Sequence, residues 1–301
     1  MRKLLFLLCL RGLCWAEVLP YTLPARPADA DRPTMVEDHP RLLFRTAAQL
    51  AAAYKGDATG LADLRMSGSS EFNSVSLGEI LAGLPTRDVV IVDLRQESHV
   101  LLNDRLVTWE AGDDWANVGM DHGQALRAER DRIKLLTSQR SVGLVAAKQY
   151  DNGEGSSGEA AKVETVRSEE QLVDSQGLDY ERLTVTDHLR PDDEETDRFV
   201  DIVDGMGGED WMHLHCRAGV GRTSVFMAMF DMLHNADRVS LKEILARQAA
   251  LPPGRDLNEV AAGPRHQYYV ERNQFLAAFY EYSKARLAGT RADWSDWIRE
   301  R

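Results

Sequence analysis

The chain has 301 residues, 44% of them hydrophobic and 28% charged, which is the balance of a globular protein long enough for one large domain or two small ones. Its formal net charge of −12 argues against non-specific binding of nucleic acid. If the substrate is an anion, a local basic pocket must overcome this unfavourable overall charge.

The N-terminal stretch MRKLLFLLCLRGLCWA, residues 1–16, resembles a secretory signal peptide. It has a charged start, a short apolar core and a small residue, Ala16, at the expected cleavage position. The core is far shorter than the ~20 apolar residues of a membrane span. Cys9 and Cys14 lie within the stretch, so the mature chain would keep Cys216 alone. We therefore expect a periplasmic or secreted protein without a transmembrane segment, whose lone thiol has a chemical role.

Strands and helices are expected to alternate after a proline-rich segment, residues 17–40, that is typical of a linker or an irregular strap. The continuous apolar run 89–94 predicts a strand buried on both faces. This alternation indicates an α/β layer fold. The expected helices are 76–84, 123–136, 191–205, one opened by Ser240, and 264–287, and the expected strands are 89–94, 141–147, 161–167, 182–186 and 211–214.

The decapeptide HCRAGVGRTS, residues 215–224, carries the strongest chemical signal. It follows a short apolar run and precedes another, which predicts a strand, a glycine-rich loop and a helix N-terminus. Such a loop directs backbone N–H groups and the positive end of a helix dipole at one point, which suits an oxyanion. Cys216 and Arg222 bracket the loop. The loop amides, the helix dipole and the guanidinium of Arg222 favour the thiolate form of Cys216. The guanidinium also offers a planar fork to phosphate oxygens.

This decapeptide resembles the active-site loop of the protein-tyrosine-phosphatase superfamily. Other stretches resemble one bacterial branch of it, the phosphatase-like inositol polyphosphatases or cysteine phytases: MSGSSEF (66–72), DLRQESH (93–99), DWAN (114–117), TDHLRP (186–191) and WSDW (294–297). The resemblance implies a catalytic domain over 41–301, with a central sheet flanked by helices. It also implies a small partial β-barrel subdomain, drawn in part from about 137–175.

The loop residues divide into a nucleophile and its supports. Cys216 is the expected nucleophile and would form a phosphocysteine, because a thiolate at a helix N-terminus needs no base. Arg222 and the loop amides would hold the equatorial oxygens of the phosphate. Thr223 is placed to hydrogen-bond the thiolate or to cap the helix, and His215 is expected to orient the loop. The loop amides belong to Ala218, Gly219, Val220 and Gly221.

A general acid is expected at Asp187, which ends a predicted strand in a stretch similar to the general-acid loop of the family. A carboxylic acid there would protonate the leaving alkoxide and then activate water against the thiophosphate. The alternative is a structural cap for the helix after Pro191. His188 would either contact phosphate or be only a packed side chain.

A basic rim is expected because a polyphosphorylated ring needs several cations. Arg265 and Arg272 stand where the family typically has phosphate-binding lysines, and their spacing of seven places them on one helix face; as an alternative, they are solvated helix charges. Asp114 matches a family residue that contacts an inositol hydroxyl. A basic residue that the family carries near its first strand has no evident counterpart. The further cations expected at the site are Arg190, Arg217 and Lys148.

These observations predict an exported phosphatase that removes phosphates stepwise from inositol polyphosphates such as phytate. No cofactor or metal is expected, because no His/Asp/Glu cluster has metal-ligand spacing. The expected partner is this small polyanion, not nucleic acid. A tyrosine, dual-specificity or phosphoinositide phosphatase is the alternative, because the basic Arg217 also suits lipid headgroups. A non-catalytic phosphoinositide-binding module is less favoured, since the nucleophile, the arginine and the acid are all retained.

Overall fold

The computed structural model describes residues 19–39, 41–154, 158–252 and 254–301, so the predicted signal peptide lies outside the described residues. Alternating strands and helices confirm the predicted α/β class. In the described chain, no helix has the length and apolar character to cross a membrane. The strands are β1 (Thr34–Asp38), β2 (Arg45–Thr46), β3 (Met66–Ser70), β4 (Val89–Asp93), β5 (His99–Leu102), β6 (Arg105–Glu110), β7 (Ser141–Ala146), β8 (Glu159–Lys162), β9 (Val166–Arg167), β10 (Asp179–Arg182) and β11 (Trp211–Cys216). The helices are α1 (Ala47–Ala53), α2 (Ser74–Ala82), α3 (His122–Thr137), α4 (Ala147–Asp151), α5 (Glu169–Asp174), α6 (Asp193–Gly205), α7 (Gly221–Asn235), α8 (Leu241–Arg247), α9 (His266–Leu287) and α10 (Trp294–Arg299).

A five-stranded sheet with the order β10-β4-β11-β3-β2 carries the predicted catalytic loop. Strands β10, β4, β11 and β3 are parallel, and β2 is antiparallel to β3. Every residue of β11 is buried, because helices cover both faces of a parallel sheet. In register, His215 pairs with Asp93 of β4, and Cys216 pairs with Ser70 of β3. Cys216 therefore lies at the carboxyl end of a central strand, the edge at which open α/β sheets bind ligands.

The main core lies between this sheet and helices α7 and α9. Phe226 on α7 packs edge to face against Phe199 on α6 at 5.0 Å. Trp294 on α10 is fully buried between aromatic rings of α9. Each fully buried side chain of this kind contributes about 1.5–3 kcal/mol. This packing holds the N-terminus of α7 rigidly behind Cys216.

A second, six-stranded sheet has the order β8-β7-β1-β6-β5-β9. Strands β7, β8 and β9 come from the range 137–175 that was expected to contribute to a small β subdomain. The predicted strand 161–167 is divided, because β8 pairs with β7 whereas β9 pairs with β5.

The sequence predicted a linker or an irregular strap for residues 17–40, but the segment also contains β1, which lies inside the second sheet between β6 and β7. Two acids at the end of this segment are buried: Glu37 bonds to Arg105, and Asp38 to Arg217. Residues 19–33, here called the N-terminal strap, contain no helix or strand.

The expected strand 182–186 was wrong in position, because β10 covers Asp179–Arg182. The next residues leave the regular ladder but still bond to β4 and to the segment after it: Leu183 N donates to Asp93 O at 2.8 Å, and Gln96 N to Val185 O at 3.3 Å. This irregular path carries the chain to Asp187.

Candidate active site

The loop from Cys216 to Arg222, here called the Cys–Arg loop, joins β11 to α7. It passes so close to β3 that a Cβ on Gly219 would lie 2.4 Å from Ser70 N, and Gly219 has a φ of +71°. Glycine allows both the close approach and the positive φ, because it has no Cβ. Among the described residues, no hydrogen bond is donated by the amides of Ala218, Gly219, Val220 or Gly221. The loop therefore presents free N–H groups at a helix N-terminus, as an oxyanion requires.

Cys216 is buried at 3% exposure, beneath these amides. The Thr223 hydroxyl donates to its sulfur at 3.2 Å. A donor at this distance stabilises a thiolate more than a thiol. The position predicted for Thr223 is therefore the one observed.

Arg222 is held by a carboxylate that the sequence analysis did not single out. Glu97 accepts from Nη1 at 2.7 Å and from Nη2 at 2.9 Å, and Val185 O accepts from Nη1 at 3.0 Å. Burial lowers the pKa of Arg222, but Asp187 and Glu97 raise it well above its ordinary value. A guanidinium has five N–H donors, so the Nε–Nη2 edge remains for a ligand.

Asp187 lies at this free edge. Its Oδ1 is 3.1 Å from Arg222 Nε, and its Oδ2 is 3.1 Å from His188 Nε2. Trp115 Nε1 donates to the Asp187 carbonyl at 3.1 Å. His188 has a φ of +68°, in a region that costs energy for a residue with a side chain. Burial lowers the pKa of His188, and nearby Arg265 and Arg222 lower it further against the opposing effect of Asp187.

His215 points into a buried cluster rather than toward the loop amides. Its Nε2 is 2.7 Å from Glu169 Oε1, and Phe72 packs on its ring at 4.8 Å. Asp93, Glu169 and His215 bring donor atoms within 4.8 Å of one another. Sequence spacing did not predict this grouping, because it forms where the paired strands β4 and β11 meet helix α5. These donors already bind protein cations, since Asp93 Oδ2 is 2.9 Å from Arg182 and 3.2 Å from His99.

Arg217 does not supply a free cation, contrary to the sequence prediction. Asp38 accepts from its Nε and Nη2 at 3.0 and 2.8 Å, and Asp114 and Glu110 lie 2.5 and 2.8 Å from its Nη1. Burial and neighbouring carboxylates raise the pKa of Glu110 to about 8. Burial raises the pKa of Asp114 to about 6 against the opposing effect of Arg217. Three carboxylates thus surround one guanidinium beside the Cys–Arg loop.

Arg190 does not lie on the rim either. The prediction that it adds positive charge at the mouth of the active site is therefore wrong. Arg190 is 2% exposed and donates to Pro191 O at 2.7 Å and to Pro20 O at 3.3 Å. Its guanidinium stacks between the rings of Tyr21 and Phe275, at 4.9 and 5.2 Å. The strap and α9 enclose it because they offer carbonyl oxygens and aromatic faces together.

Arg265 and Arg272 contact different parts of the molecule. Arg265 precedes α9 and lies 2.5 Å from Asp113, next to the loop that carries Asp114. Arg272 donates to Glu259 O at 3.1 Å and stacks on Tyr269 at 5.2 Å, so it holds the segment before α9. Burial lowers the pKa of Arg272.

Lys148 is exposed on α4. The same helix places Tyr150 beside Glu110 and Asp114, where burial and these two carboxylates, together with Asp29, raise the pKa of Tyr150 to about 12. The second sheet therefore contributes side chains to the wall of the cleft. Of the cations expected on the rim, Arg265 keeps a partly exposed charge beside the cleft, and Lys148 is exposed on the helix that carries Tyr150.

Arg45 is a further residue that sequence reasoning missed. Fully buried in β2, it donates to Gly219 O at 2.9 Å and to Ser224 Oγ at 3.2 Å. Burial lowers its pKa to about 10. It fixes the Cys–Arg loop from behind, and its place near an early strand is where the resemblance called for a basic residue. Glu97 could have been recognised as a site candidate from the sequence, because it follows the buried strand β4 closely.

Comparison with known proteins gives matches over nearly the whole chain. A family model for PTP-like phytases, described by the words inositol hexakisphosphate, matches residues 92–234. The structure of a PTP-like phytase from Bdellovibrio bacteriovorus is 35% identical, with a TM-score of 0.70, over 93% of this chain and 98% of that one. A PTP-like myo-inositol phosphatase from Mitsuokella multacida, solved with myo-inositol-(1,3,4,5)-tetrakisphosphate, is 29% identical with a TM-score of 0.81.

A curated relative, effector protein hopD2 of Pseudomonas syringae pv. tomato, is 33% identical over 295 residues. The chain spans 62% of the length of hopD2 and 49% of the Mitsuokella chain. It therefore resembles part of each longer relative and almost all of the Bdellovibrio protein.

Proposed function

From the premise that the chain belongs to the PTP-like phytase family, we propose that it hydrolyses phosphate monoesters of inositol with Cys216 as nucleophile. The observation that carries this proposal is the convergence on one point of the Cys216 thiol, unpaired loop amides and the free edge of Arg222. No other group of described residues combines a nucleophile with an anion site.

In the first step, the phosphate oxygens occupy the loop amides and the Nε–Nη2 edge of Arg222. The Cys216 thiolate attacks phosphorus, so that an S–P bond forms while the bond between phosphorus and the ester oxygen breaks. The leaving alkoxide takes a proton from the Asp187 carboxylic acid. Because the phosphate displaces Asp187 from Arg222, the carboxyl group becomes free to turn toward the leaving oxygen.

In the second step, a water molecule replaces the alcohol. The Asp187 carboxylate accepts a proton from this water while the water oxygen attacks phosphorus. The S–P bond breaks, inorganic phosphate leaves, and the thiolate of Cys216 is restored with the Thr223 hydroxyl donating to it. The cycle consumes one water for each ester and leaves the enzyme unchanged.

An inositol ring is the proposed substrate class, with phytate among its members. The Mitsuokella relative was solved with an inositol tetrakisphosphate, which supports this assignment. The carboxylates on Arg217 can accept hydrogen bonds from ring hydroxyls, and Arg265 and Lys148 can attract phosphates further from the reacting centre. A site with both kinds of group suits a ring that carries hydroxyls and phosphates together.

Protein phosphotyrosine is the second candidate. The carboxylates around Arg217 and the burial of Arg190 leave few cations for a highly charged ring. The similarity to an effector protein also favours an activity on proteins.

One assay separates these candidates. Phosphate release is measured from inositol hexakisphosphate, from myo-inositol-(1,3,4,5)-tetrakisphosphate, from a phosphoinositide and from a phosphotyrosine peptide, with Cys216→Ser as the blank. We expect the highest kcat/KM on a soluble inositol phosphate. A higher value on the peptide would overturn the inositol assignment, and no release from any of them would overturn the hydrolase assignment.

Export is proposed from residues 1–16 alone, on their likeness to a signal peptide. Mass spectrometry of the protein recovered outside the cytoplasm tests it. A mature chain that begins at Glu17 is the expected result, and an intact chain retained in the cytoplasm would contradict the proposal.

A further inference from the structure

We infer that the N-terminal strap positions the general acid: Tyr21 and the buried Arg190 fasten residues 19–33 to the Asp187 loop, residues 186–191, and thereby fix the Asp187 carboxyl group. The inference rests on the proposed function, because it assigns a role to side chains that act through Asp187. Neither Tyr21 nor Arg190 touches the Cys–Arg loop in any contact between described residues.

The first fastening is the buried guanidinium of Arg190. It donates to Pro20 O at 3.3 Å and to Pro191 O at 2.7 Å, which joins the strap to the end of the Asp187 loop. The Tyr21 ring covers one face of the guanidinium, with its centroid 4.9 Å from Arg190 Cζ, and the centroid of the Phe275 ring lies 5.2 Å from the same atom. A stacked guanidinium away from water is held in one orientation, so the loop that carries it is held as well.

The second fastening is the side chain of Tyr21, which lies beside Thr186. Thr186 donates to Gln96 Oε1 at 2.9 Å and immediately precedes Asp187. Tyr21 itself is anchored by its neighbour, since Thr22 N donates to Glu271 Oε2 on α9 at 3.0 Å. The strap therefore contacts the Asp187 loop on both sides of the proposed acid.

The strap also supports the loop that carries Asp114. Ala30 is buried against Ala111 and Ala116, and Pro27 packs over Gly112, which has a φ of +57°. Trp115 on this loop donates to the Asp187 carbonyl. One irregular segment thus holds both loops that border the Cys–Arg loop.

Such support is needed because the Asp187 loop is strained. His188 has a φ of +68°, and a residue in that region persists only where its surroundings determine it. If the strap contacts are weakened, the loop can relax and Asp187 leaves the position from which it protonates the leaving oxygen. The thiolate and Arg222 are untouched, so substrates with good leaving groups are spared.

The test compares Tyr21→Ala with Leu23→Ala, a strap residue that is 46% exposed, in the full chain. Rates are measured on p-nitrophenyl phosphate, which needs little acid catalysis, and on an inositol phosphate, which needs all of it. We expect Tyr21→Ala to lower kcat on the inositol phosphate by about tenfold and kcat on p-nitrophenyl phosphate by less than about twofold. Leu23→Ala should change neither, and Tyr21→Phe, which keeps the ring, should recover most of the loss.

A double-mutant cycle with Asp187→Asn identifies the route of the effect. Tyr21→Ala should cause no further selective loss once Asp187 is replaced, because both changes remove the same step. Equal losses on both substrates, or full additivity with Asp187→Asn, would overturn the positioning role. If Asp187→Asn itself affects both substrates equally, the acid assignment fails and the strap inference falls with it; if only Tyr21→Ala lacks selectivity, the strap inference alone fails.

Arg190→Met provides a second variant, with the melting temperature measured beside the rates. It should show the same selectivity as Tyr21→Ala while still unfolding cooperatively. Loss of stability without any change in the ratio of the two rates would assign Arg190 a purely structural role and overturn its part in the inference.

Discussion

Asp187 lies on the side of Arg222 at which we propose that the substrate phosphate binds. In the structure, Asp187 Oδ1 lies 3.1 Å from Arg222 Nε as an ion pair without a hydrogen bond, while Glu97 accepts from the other edge of the guanidinium. Burial raises the pKa of Glu97, but Arg222 and Arg95 together outweigh burial and bring the pKa well below its ordinary value, which favours the carboxylate. Arg222 is thus oriented by Glu97 on one side and paired with the proposed acid on the other.

Replacing the acid tests this arrangement. Asp187→Asn should slow hydrolysis of inositol phosphates by ~10²–10⁴-fold, because an alkoxide needs a proton to leave, and should slow p-nitrophenyl phosphate far less. Steady-state kinetics on both substrates measure the difference. Similar losses on the two would mean that Asp187 only holds Arg222 in place.

The thiol has its own test. Cys216→Ser should lose turnover while retaining affinity for inositol hexakisphosphate, since the hydroxyl is a poor nucleophile but leaves the loop amides and Arg222 intact. Calorimetric titration measures the affinity, and phosphate release measures the turnover. Activity comparable with the wild type would remove Cys216 from the mechanism.

At the scale of elements, the geometry of α9 explains why Arg265 and Arg272, seven residues apart, contact different parts of the molecule. Two helical turns separate them by about 10 Å along the axis, because each residue rises about 1.5 Å. Arg265 therefore meets Asp113 at the cleft, whereas Arg272 meets the backbone of the segment that precedes α9. A shared helix face did not place them at a shared site.

The two positions give a matched pair of variants. Arg265→Ala should raise KM for inositol hexakisphosphate and leave p-nitrophenyl phosphate nearly unchanged, because the latter has no distal phosphate to hold. Arg272→Ala should instead lower the melting temperature without a selective change in KM, since its partners are backbone carbonyls and Tyr269. A selective KM effect at Arg272 and none at Arg265 would reverse the assignment.

At the scale of the whole molecule, the net charge of −12 extends into the cleft. Asp38, Glu110 and Asp114 meet around Arg217, and their crowding keeps part of the cluster protonated. Burial and Asp114 raise the pKa of Glu110 to about 8 in the folded protein. Ionisation of the cluster therefore opposes folding as the solution becomes alkaline.

The sign of this effect follows from proton linkage. Glu110 binds its proton more tightly when folded, so its contribution to the free energy of unfolding is present below its unfolded pKa, about 4.5, and is lost as pH rises toward about 8. Glu110→Gln should make stability fall less than in the wild type between about pH 5 and pH 8. Urea unfolding at pH 5 and pH 8 measures the free energy of unfolding, with Glu79→Gln, a change at an exposed residue of α2, as the control. An equal loss of stability in the wild type and in Glu110→Gln would show that Glu110 is ionised throughout this range.

The sequence alone determined the α/β class, the family branch and the strand, loop and helix around Cys216. These are local properties: the nucleophile, Arg222, Thr223 and the required glycine lie within one decapeptide, and backbone geometry alone brings them together. Asp187 was predicted from the resemblance of residues 186–191 to a general-acid loop, whereas the strand expected to lead to it ends at Arg182.

Only the tertiary structure decided which charges face the substrate. Arg217 meets Asp38 across 179 residues of sequence, and Arg190 meets Pro20 across 170. A long, flexible side chain takes its partner from whatever segment the fold brings beside it, and neither spacing nor periodicity encodes that choice. For the same reason, only the folded chain shows that Glu97 and Arg45 bind the Cys–Arg loop and that Tyr21 lies beside the Asp187 loop.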